Sequence, residues 1–167
     1  MKIIFAIIFS LACVPAHADA RDELEEYVKD WTRDLGPKGK QRALDQIDNV
    51  LRSATAHGID HLLLAVMISK ESSWNFRAVG KRGEVGLLQV HTRFAKKGFD
   101  LTQSAQQIEA GATWLKKCIT RCGTVRGGVN AYTTDSCTAP WRGLGHRMSA
   151  YRAAVKKYRG GKHARHA

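Results

Sequence analysis

The sequence predicts a mainly α-helical, single compact domain built around one buried central helix. Through most of the chain, apolar residues recur every three or four positions, as on one face of a helix. Segments of alternating apolar and polar residues are too short to predict strands, beyond a small hairpin near residues 77–85. Residues 62–68 are all apolar, which is typical of a helix buried on every side.

The first 20 residues are typical of a secretory signal peptide. Lys2 supplies the positive charge, residues 3–14 form the apolar stretch, and small residues before position 21 suit cleavage. The apolar stretch is too short to cross a bilayer, and no later segment is long enough. We therefore expect an exported protein, in the periplasm or cell wall, with no stable membrane span after cleavage.

Two alternatives for the N-terminus stay open. Cys13 suggests a lipoprotein cleavage site, although Ser10 stands where an aliphatic residue is wanted. A signal anchor that is released slowly is the other alternative.

The charge of the chain indicates an anionic partner. The 167 residues include 27 Lys and Arg against 15 Asp and Glu, a net charge of +12. In a cytosolic protein this excess would suggest nucleic acid. For an exported protein it favours anionic envelope polymers, such as peptidoglycan, teichoic acids or lipopolysaccharide, and we expect no nucleic-acid partner.

The apolar spacing predicts the helices in order. Residues 21–35 and 41–55 each form one apolar face, and Gly36-Pro37 separates the two helices. Asp60 is the expected N-cap of the central helix. A loop over 75–85 follows it, and a polar loop over 133–145 precedes the last helix. The remaining helices are predicted at residues 86–93, 102–120, 125–132 and 148–158.

Glu71 is an acid at the end of the apolar helix. It follows Met67 and Ile68 by four and three residues, so it shares their face. Burial disfavours the charged form of a carboxylic acid and raises its pKa, which lets it keep a proton for catalysis near neutral pH. The alternative is a solvated glutamate, or one paired with Lys70 or Arg77.

Other chemistries lack the residues that they need. The chain has no G-x-S-x-G elbow, phosphate-binding loop or dinucleotide fingerprint, and its histidines are scattered. We therefore expect neither a metal nor another cofactor. Aromatic residues near the acid suit either a sugar site, since sugar faces stack on rings, or an ordinary core. They are Trp74, Phe76, Tyr132 and Trp141.

Three cysteines remain when Cys13 leaves with the signal peptide. An oxidising compartment permits a disulfide. Cys137 can pair with Cys122 or with Cys118, and Cys122 is preferred because its helix is expected to end near Gly123. A zinc site formed by these cysteines with His146 matches no common ligand spacing.

Four segments together resemble the lytic transglycosylase SLT domain, which has the goose-type lysozyme-like fold of an α+β superfamily. E-S-S-W at residues 71–74 and G-E-V-G-L-L-Q at 83–89 are similar to its E-S-x-F and G-A-x-G-L-M-Q motifs. Q-I-E-A-G-A-T-W-L at 107–115 and V-N-A-Y at 129–132 are similar to N-I-x-x-G-x-x-Y-L and A-Y-N-A-G. The segments occur in the family's order.

The resemblance divides the chain into four parts. Residues 1–20 are the signal peptide, and 21–56 are N-terminal helices packed on the domain. Residues 57–158 form the SLT-like catalytic domain, and 159–167 form a basic tail that we expect to be disordered.

The resemblance implies an enzyme that cleaves the β-1,4 bond between N-acetylmuramic acid and N-acetylglucosamine in peptidoglycan glycan strands. Glu71 is the implied general acid and then base, and the product is a 1,6-anhydro sugar. Ser72, Gln89 and Tyr132 are the implied substrate-binding residues. Their alternatives are a helix-end cap for Ser72, a helix-start hydrogen bond for Gln89 and core packing for Tyr132.

The sequence departs from the family pattern at the second, third and fourth motifs. Thr133-Thr134-Asp135 replaces Asn-Ala-Gly, Gln107 replaces Asn, and Leu88 replaces Met. Subsite contacts in the loop 133–141 therefore do not carry over.

Two other functions stay open. One is a muramidase on the same fold, with Glu84 or Asp135 as second carboxylate, and the other is a non-catalytic wall-binding scaffold. The setting also stays open between a secretion or conjugation machine, a phage assembly and wall turnover.

Overall fold

The computed structural model describes residues 14–140 and 142–159. Most of the predicted signal peptide, Trp141 and residues 160–167 of the predicted basic tail lie outside these residues, whereas Arg159, the first residue of that tail, is described. Helix α1 begins at Val14, so it includes the last residues of the predicted signal peptide. None of the described helices is long and apolar enough to cross a membrane.

The prediction of a mainly helical domain is confirmed. The helices are α1 (Val14–Trp31), α2 (Gly36–Leu44), α3 (Ile47–His57), α4 (His61–Ser72), α5 (Ser104–Cys122), α6 (Val125–Thr134) and α7 (Arg142–Ala154). A two-stranded antiparallel hairpin joins β1 (Glu84–Val85) and β2 (Val90–His91). A 3₁₀ helix covers Thr92–Lys97, and a π-helical turn covers Val155–Arg159.

Helix α4 is the centre of the domain. Its residues from Leu62 to Ser69 are all buried, as the unbroken apolar run predicts. Helices α1, α3 and α7 pack around it. The side chain of Asp60 accepts a hydrogen bond from the backbone N–H of Leu62 at 2.9 Å and caps the helix. The helix ends at Ser72, and the following residue, Ser73, has a left-handed φ of 50°.

The hydroxyl of Ser69 is the polar contact within this buried helix. The hydroxyl of Tyr27 and the indole N–H of Trp74 each lie 2.9 Å from Ser69 Oγ. Trp74 is 1% exposed and belongs to the core. This arrangement fastens α1 and the segment after α4 to the central helix.

Several boundaries differ from the prediction, and four of the differences change how a segment is assigned. Residues 41–55 are not one helix, because a turn at residues 45–46 separates α2 from α3. Gly36-Pro37 begins α2 instead of separating two helices, since proline is tolerated in the first turn. The predicted helix at 86–93 is a turn followed by β2 and the start of the 3₁₀ helix, so the hairpin lies at 84–91. Helix α7 begins at Arg142, within the segment predicted to be a loop.

Two glycines permit close packing, one between α5 and the hairpin turn and one between α6 and α5. A Cβ at Gly111 would lie 2.4 Å from Leu88 Cδ1, so α5 directly supports that turn. A Cβ at Gly128 would lie 2.7 Å from Ile119 Cα, so α6 lies against α5. The close contact of Gly111 is therefore with Leu88 of the turn.

Candidate active site

A cleft of about 640 Å³ runs between the hairpin, the C-terminal ends of α4 and α6, and the middle of α5. Its walls carry both charged and aromatic groups. The charged groups can bind the hydroxyls of a sugar, and the aromatic rings can stack on its apolar face. The lining residues are Glu71, Lys81, Arg82, Glu84, Gln89, Val90, His91, Arg93, Trp114, Ala131, Tyr132, Thr133, Thr134 and Asp135.

Glu71 lies on this cleft at the C-terminal end of α4. Its side chain is 14% exposed, and Arg147 Nη2 on α7 donates a hydrogen bond to its Oε1 at 2.8 Å. Burial raises the pKa of Glu71, the charge and hydrogen bond of Arg147 lower it, and the charge of Glu84 raises it again. The net effect is a pKa above the ordinary glutamate value, as required of a general acid.

Gln89 lies in the hairpin turn with a left-handed φ of 47°. Its Nε2 donates to Gly86 O at 3.0 Å and to Ala78 O at 3.3 Å. The side chain therefore braces the turn from within while it lines the cleft.

Tyr132 lines the cleft from α6. Its hydroxyl donates to Leu88 O at 2.7 Å, which joins α6 to the hairpin turn. Burial raises the pKa of Tyr132 well above its ordinary value, and the charge of Glu71 adds to the effect. The phenol therefore stays neutral and keeps its proton on this hydrogen bond.

Ser72 is turned to the backbone beneath the cleft. Its hydroxyl lies 2.8 Å from Leu87 O and 3.2 Å from Ile68 O. Among the described residues that line the cleft, Ser72 does not appear. The contacts place it as the link between the end of α4 and the hairpin turn.

Gln107 holds the same turn from α5 and was noted in the sequence only as a departure from a family motif. It is 2% exposed, and its Oε1 accepts from Leu87 N at 2.9 Å. Its Nε2 donates to Phe76 O and Leu101 O, each at 2.9 Å. A Cβ at Gly86 would lie 2.1 Å from the Gln107 amide, so glycine is needed there.

Arg147 and Trp114 were not predicted as site residues. No local pattern marks Arg147, which is 76 positions from Glu71. Trp114 stands where the family motif has tyrosine. That shared aromatic position is the feature of the sequence that could have identified Trp114 as a site residue. Its ring lies beneath the Arg93 guanidinium, at 6.0 Å, and lines the cleft. Of the aromatic residues that the sequence singled out, Tyr132 lines the cleft and Trp74 lies in the core.

A disulfide and an ion pair fasten the far wall of the cleft. Cys122 at the end of α5 is bonded to Cys137, with 5.5 Å between their Cα atoms, while Cys118 is a buried free thiol. Arg121 donates to Asp135 Oδ1 through both terminal nitrogens at 3.0 Å. Within the described part of the chain, no group of three His, Cys, Asp or Glu is placed to hold a metal.

Both candidate second carboxylates line the cleft. Glu84 accepts a hydrogen bond from Arg82 N at 2.9 Å, which lowers its pKa, and pairs with Arg82 Nε at 3.0 Å. Asp135 is tied to Arg121 at the opposite wall. The cleft therefore holds one carboxyl whose pKa is lowered, Glu84, and one whose pKa is raised, Glu71.

The fold and the site define a helical, lysozyme-like domain with the mostly buried Glu71 on a cleft of about 640 Å³. Comparison with protein families identifies the transglycosylase SLT domain, which matches residues 48–141. The match covers more than half of the chain, and the chain belongs to this family. Domains of this family are of the lytic transglycosylase type and act on peptidoglycan. A search of curated proteins found no match.

The matched segment contains Glu71, Gln89 and Tyr132, and it ends before Arg147. It begins within α3, upstream of the predicted start of the catalytic domain at residue 57.

Proposed function

We propose that the chain is an exported lytic transglycosylase that cleaves the MurNAc-β-1,4-GlcNAc bond and forms 1,6-anhydro-MurNAc. Glu71 acts first as the general acid and then as the base. The observation that carries this proposal is the buried carboxyl of Glu71, on the cleft, with a pKa raised by burial. The family match supplies the substrate class.

The first step uses the proton that burial keeps on Glu71. Glu71 gives it to the glycosidic oxygen as the bond from C1 breaks, so the GlcNAc 4-hydroxyl leaves neutral. Positive charge develops at C1 and is shared with the substrate's acetamido group.

The second step returns the proton. Glu71, now a carboxylate, takes a proton from the muramyl C6 hydroxyl as that oxygen bonds to C1. The anhydro ring closes, no water is consumed, and Glu71 is protonated again. One carboxylic acid is enough for both steps, in contrast to the usual pair of glycosidase carboxylates.

Gln89 and Tyr132 support this chemistry as positioning groups. Both donate hydrogen bonds to backbone carbonyls of the hairpin turn, at Gly86 and Leu88. The turn is therefore held rigidly against the acid, as a preorganised site requires. Ser72 and Gln107 add to the same framework by contacts with Leu87.

The cations of the cleft suit a substrate that carries carboxylates. Lys81, Arg82 and Arg93 line the hairpin side of the cleft. Arg82 is paired with Glu84, whereas Lys81 and Arg93 form no ion pair with a carboxylate of the described residues. The two remaining charges, with the net charge of +12, would attract the acidic stem peptides of the wall.

A muramidase is the second candidate, and Glu84 is the observation that favours it. An ionised carboxylate opposite a protonated one is the arrangement of a hydrolase that activates water. The products separate the two candidates, because an anhydro-muropeptide is one water lighter than a reducing one.

The test is digestion of purified wall sacculi followed by mass analysis of the released muropeptides. We expect anhydro products from the wild type and a loss of about 10³-fold or more in Glu71→Gln. Glu26→Gln makes the same change in charge at an exposed position and should behave as the wild type. Reducing products that disappear in Glu84→Gln would support the muramidase. A wild type that releases no muropeptide would support a wall-binding scaffold.

A further inference from the structure

One contact of the site has no part in the scheme above, namely the ion pair between Glu71 and Arg147. The guanidinium Nη2 lies 2.8 Å from Glu71 Oε1, and the two side chains are 13% and 14% exposed. Arg147 comes from α7, outside the segment that matches the family. A cation in direct contact with a general acid bears on the chemistry, because it favours the ionised form.

We propose that Arg147 is a positioning residue for the acid, which holds one oxygen of Glu71 and stabilises the carboxylate that forms when the proton leaves. This inference rests on the proposed function of Glu71. It deepens that function, because it assigns a role to a residue that the family match does not include.

The geometry decides which oxygen of Glu71 carries the proton. Arg147 has only donors, so the oxygen that it contacts must be an acceptor. Oε1 is therefore the carbonyl oxygen of the protonated acid, and Oε2 is the oxygen that delivers the proton. Without this contact the carboxyl would be free to present either oxygen, and part of its population would be misdirected.

The charge of Arg147 acts most strongly in the transition state of the first step. The protonated acid is neutral, and its charge appears only as the proton moves to the glycosidic oxygen. An arginine beside it in a poorly solvated site then lowers the energy of the transition state more than that of the ground state. The same charge makes Glu71 a weaker base in the second step.

The groups that face Glu71 come from three elements. Arg147 on α7 is the cation, Glu84 on β1 is an anion, and Tyr132 on α6 is neutral. Burial and the charge of Glu84 both favour the protonated acid, and Arg147 opposes them. Removing Arg147 therefore raises the pKa of Glu71 further, and a larger fraction of the enzyme keeps its proton at alkaline pH.

The experiment measures the pH dependence of anhydro-muropeptide release from soluble glycan strands, with kcat and KM determined separately. The variants are Arg147→Met, Arg147→Lys and, as a matched control, Arg152→Met. Arg152 lies on the same helix, and it is exposed. Thermal unfolding of each variant checks that it is folded.

We expect Arg147→Met to move the alkaline limb of kcat to higher pH by about one pH unit or more. At the wild-type optimum, kcat should fall by about tenfold or more because the transition state loses its cation. Arg147→Lys keeps the charge and should return the limb toward the wild-type position, and Arg152→Met should match the wild type. If Arg147→Met does not fold, Arg147→Gln replaces it, with the same expected shift.

An alkaline limb that stays at its wild-type position in a folded Arg147→Met or Arg147→Gln variant overturns this inference alone. A limb that moves equally in Arg152→Met also overturns it, because the effect would then be that of any lost charge. A wild type that releases no anhydro-muropeptide at any pH overturns the proposed function instead.

Discussion

Helix α4 carries an acid at each end, and each acid is paired with an arginine from the last part of the chain. Asp60 Oδ2 lies 2.8 Å from Arg159 Nη1, and Glu71 Oε1 lies 2.8 Å from Arg147 Nη2. The pairs have the same shortest distance, and yet the pKa of Asp60 is lowered and that of Glu71 is raised.

The difference comes from burial and from the number of opposing contacts. Burial alone would raise the pKa of Asp60, but two nitrogens of Arg159, the nearby His61 and the N–H of Leu62 outweigh it. Asp60 also lies at the positive end of the helix dipole. Glu71 is less exposed, at 14% against 22%, and lies at the negative end. An arginine partner therefore does not by itself keep an acid ionised.

The largest expected effect on the free energy of unfolding comes from loss of the disulfide, which should leave the pKa difference between Asp60 and Glu71 unchanged. Replacing Cys122 and Cys137 together with serine removes a cross-link between residues 15 positions apart. The expected loss in the free energy of unfolding is about 3 kcal/mol. Denaturant unfolding with and without reductant measures it, and reductant should not affect the double variant. A changed pKa of Glu71 in this variant would mean that the disulfide, and not local burial, controls the acid.

A smaller effect on the free energy of unfolding should distinguish Arg159 from Arg147. Arg159→Met removes a partner from Asp60 and also from Glu23, both of them mostly buried. We expect a loss of about 2 kcal/mol in the free energy of unfolding, below the usual range for buried pairs because Arg159 is partly exposed. Arg147→Met should cost less, since Glu71 can take up a proton. Equal losses in the free energy of unfolding for Arg159→Met and Arg147→Met at neutral pH would contradict the difference proposed between the Asp60 and Glu71 ion pairs.

The smallest effect is the pH dependence of stability, which should have opposite signs at the two ends. The folded pKa of Glu71 is raised, so its contribution is present at low pH and is lost as pH rises through the folded value. Glu71→Gln should therefore lose less stability toward alkaline pH than the wild type. The folded pKa of Asp60 is lowered, so its contribution is present above the ordinary aspartate value and is lost as pH falls.

Asp60→Asn should accordingly lose less stability toward acid pH than the wild type. Unfolding by denaturant at a series of pH values measures both variants, with Glu26→Gln as the exposed control. The same sign for Glu71→Gln and Asp60→Asn would contradict the assignment.

The central helix and its acid were predictable because the information is local. The apolar run at residues 62–68 identifies a buried helix, and Glu71 follows it directly. Asp60 was predictable as the cap for the same reason, since a cap and its helix are neighbours in the chain.

The contacts that Arg147 and Gln107 make in the site were not predictable, because the residues they join are distant in sequence. Arg147 reaches Glu71 across 76 positions, and its helix begins within a segment that reads as a polar loop. Gln107 reaches Leu87 across 20 positions, and only the folded chain shows that its amide fits against Gly86. Patterns of apolar residues locate faces of helices, and they carry no information about which polar side chains meet.

The most direct test of the account is a site-resolved titration of the Glu71 carboxyl by ¹³C NMR, with the signal assigned by its loss in Glu71→Gln. The Asp60 carboxyl, followed in the same samples, is the internal comparison. We expect the midpoint of Glu71 above the ordinary glutamate value and that of Asp60 below the ordinary aspartate value. A Glu71 midpoint at or below the ordinary value would contradict the claim that burial keeps its proton in place.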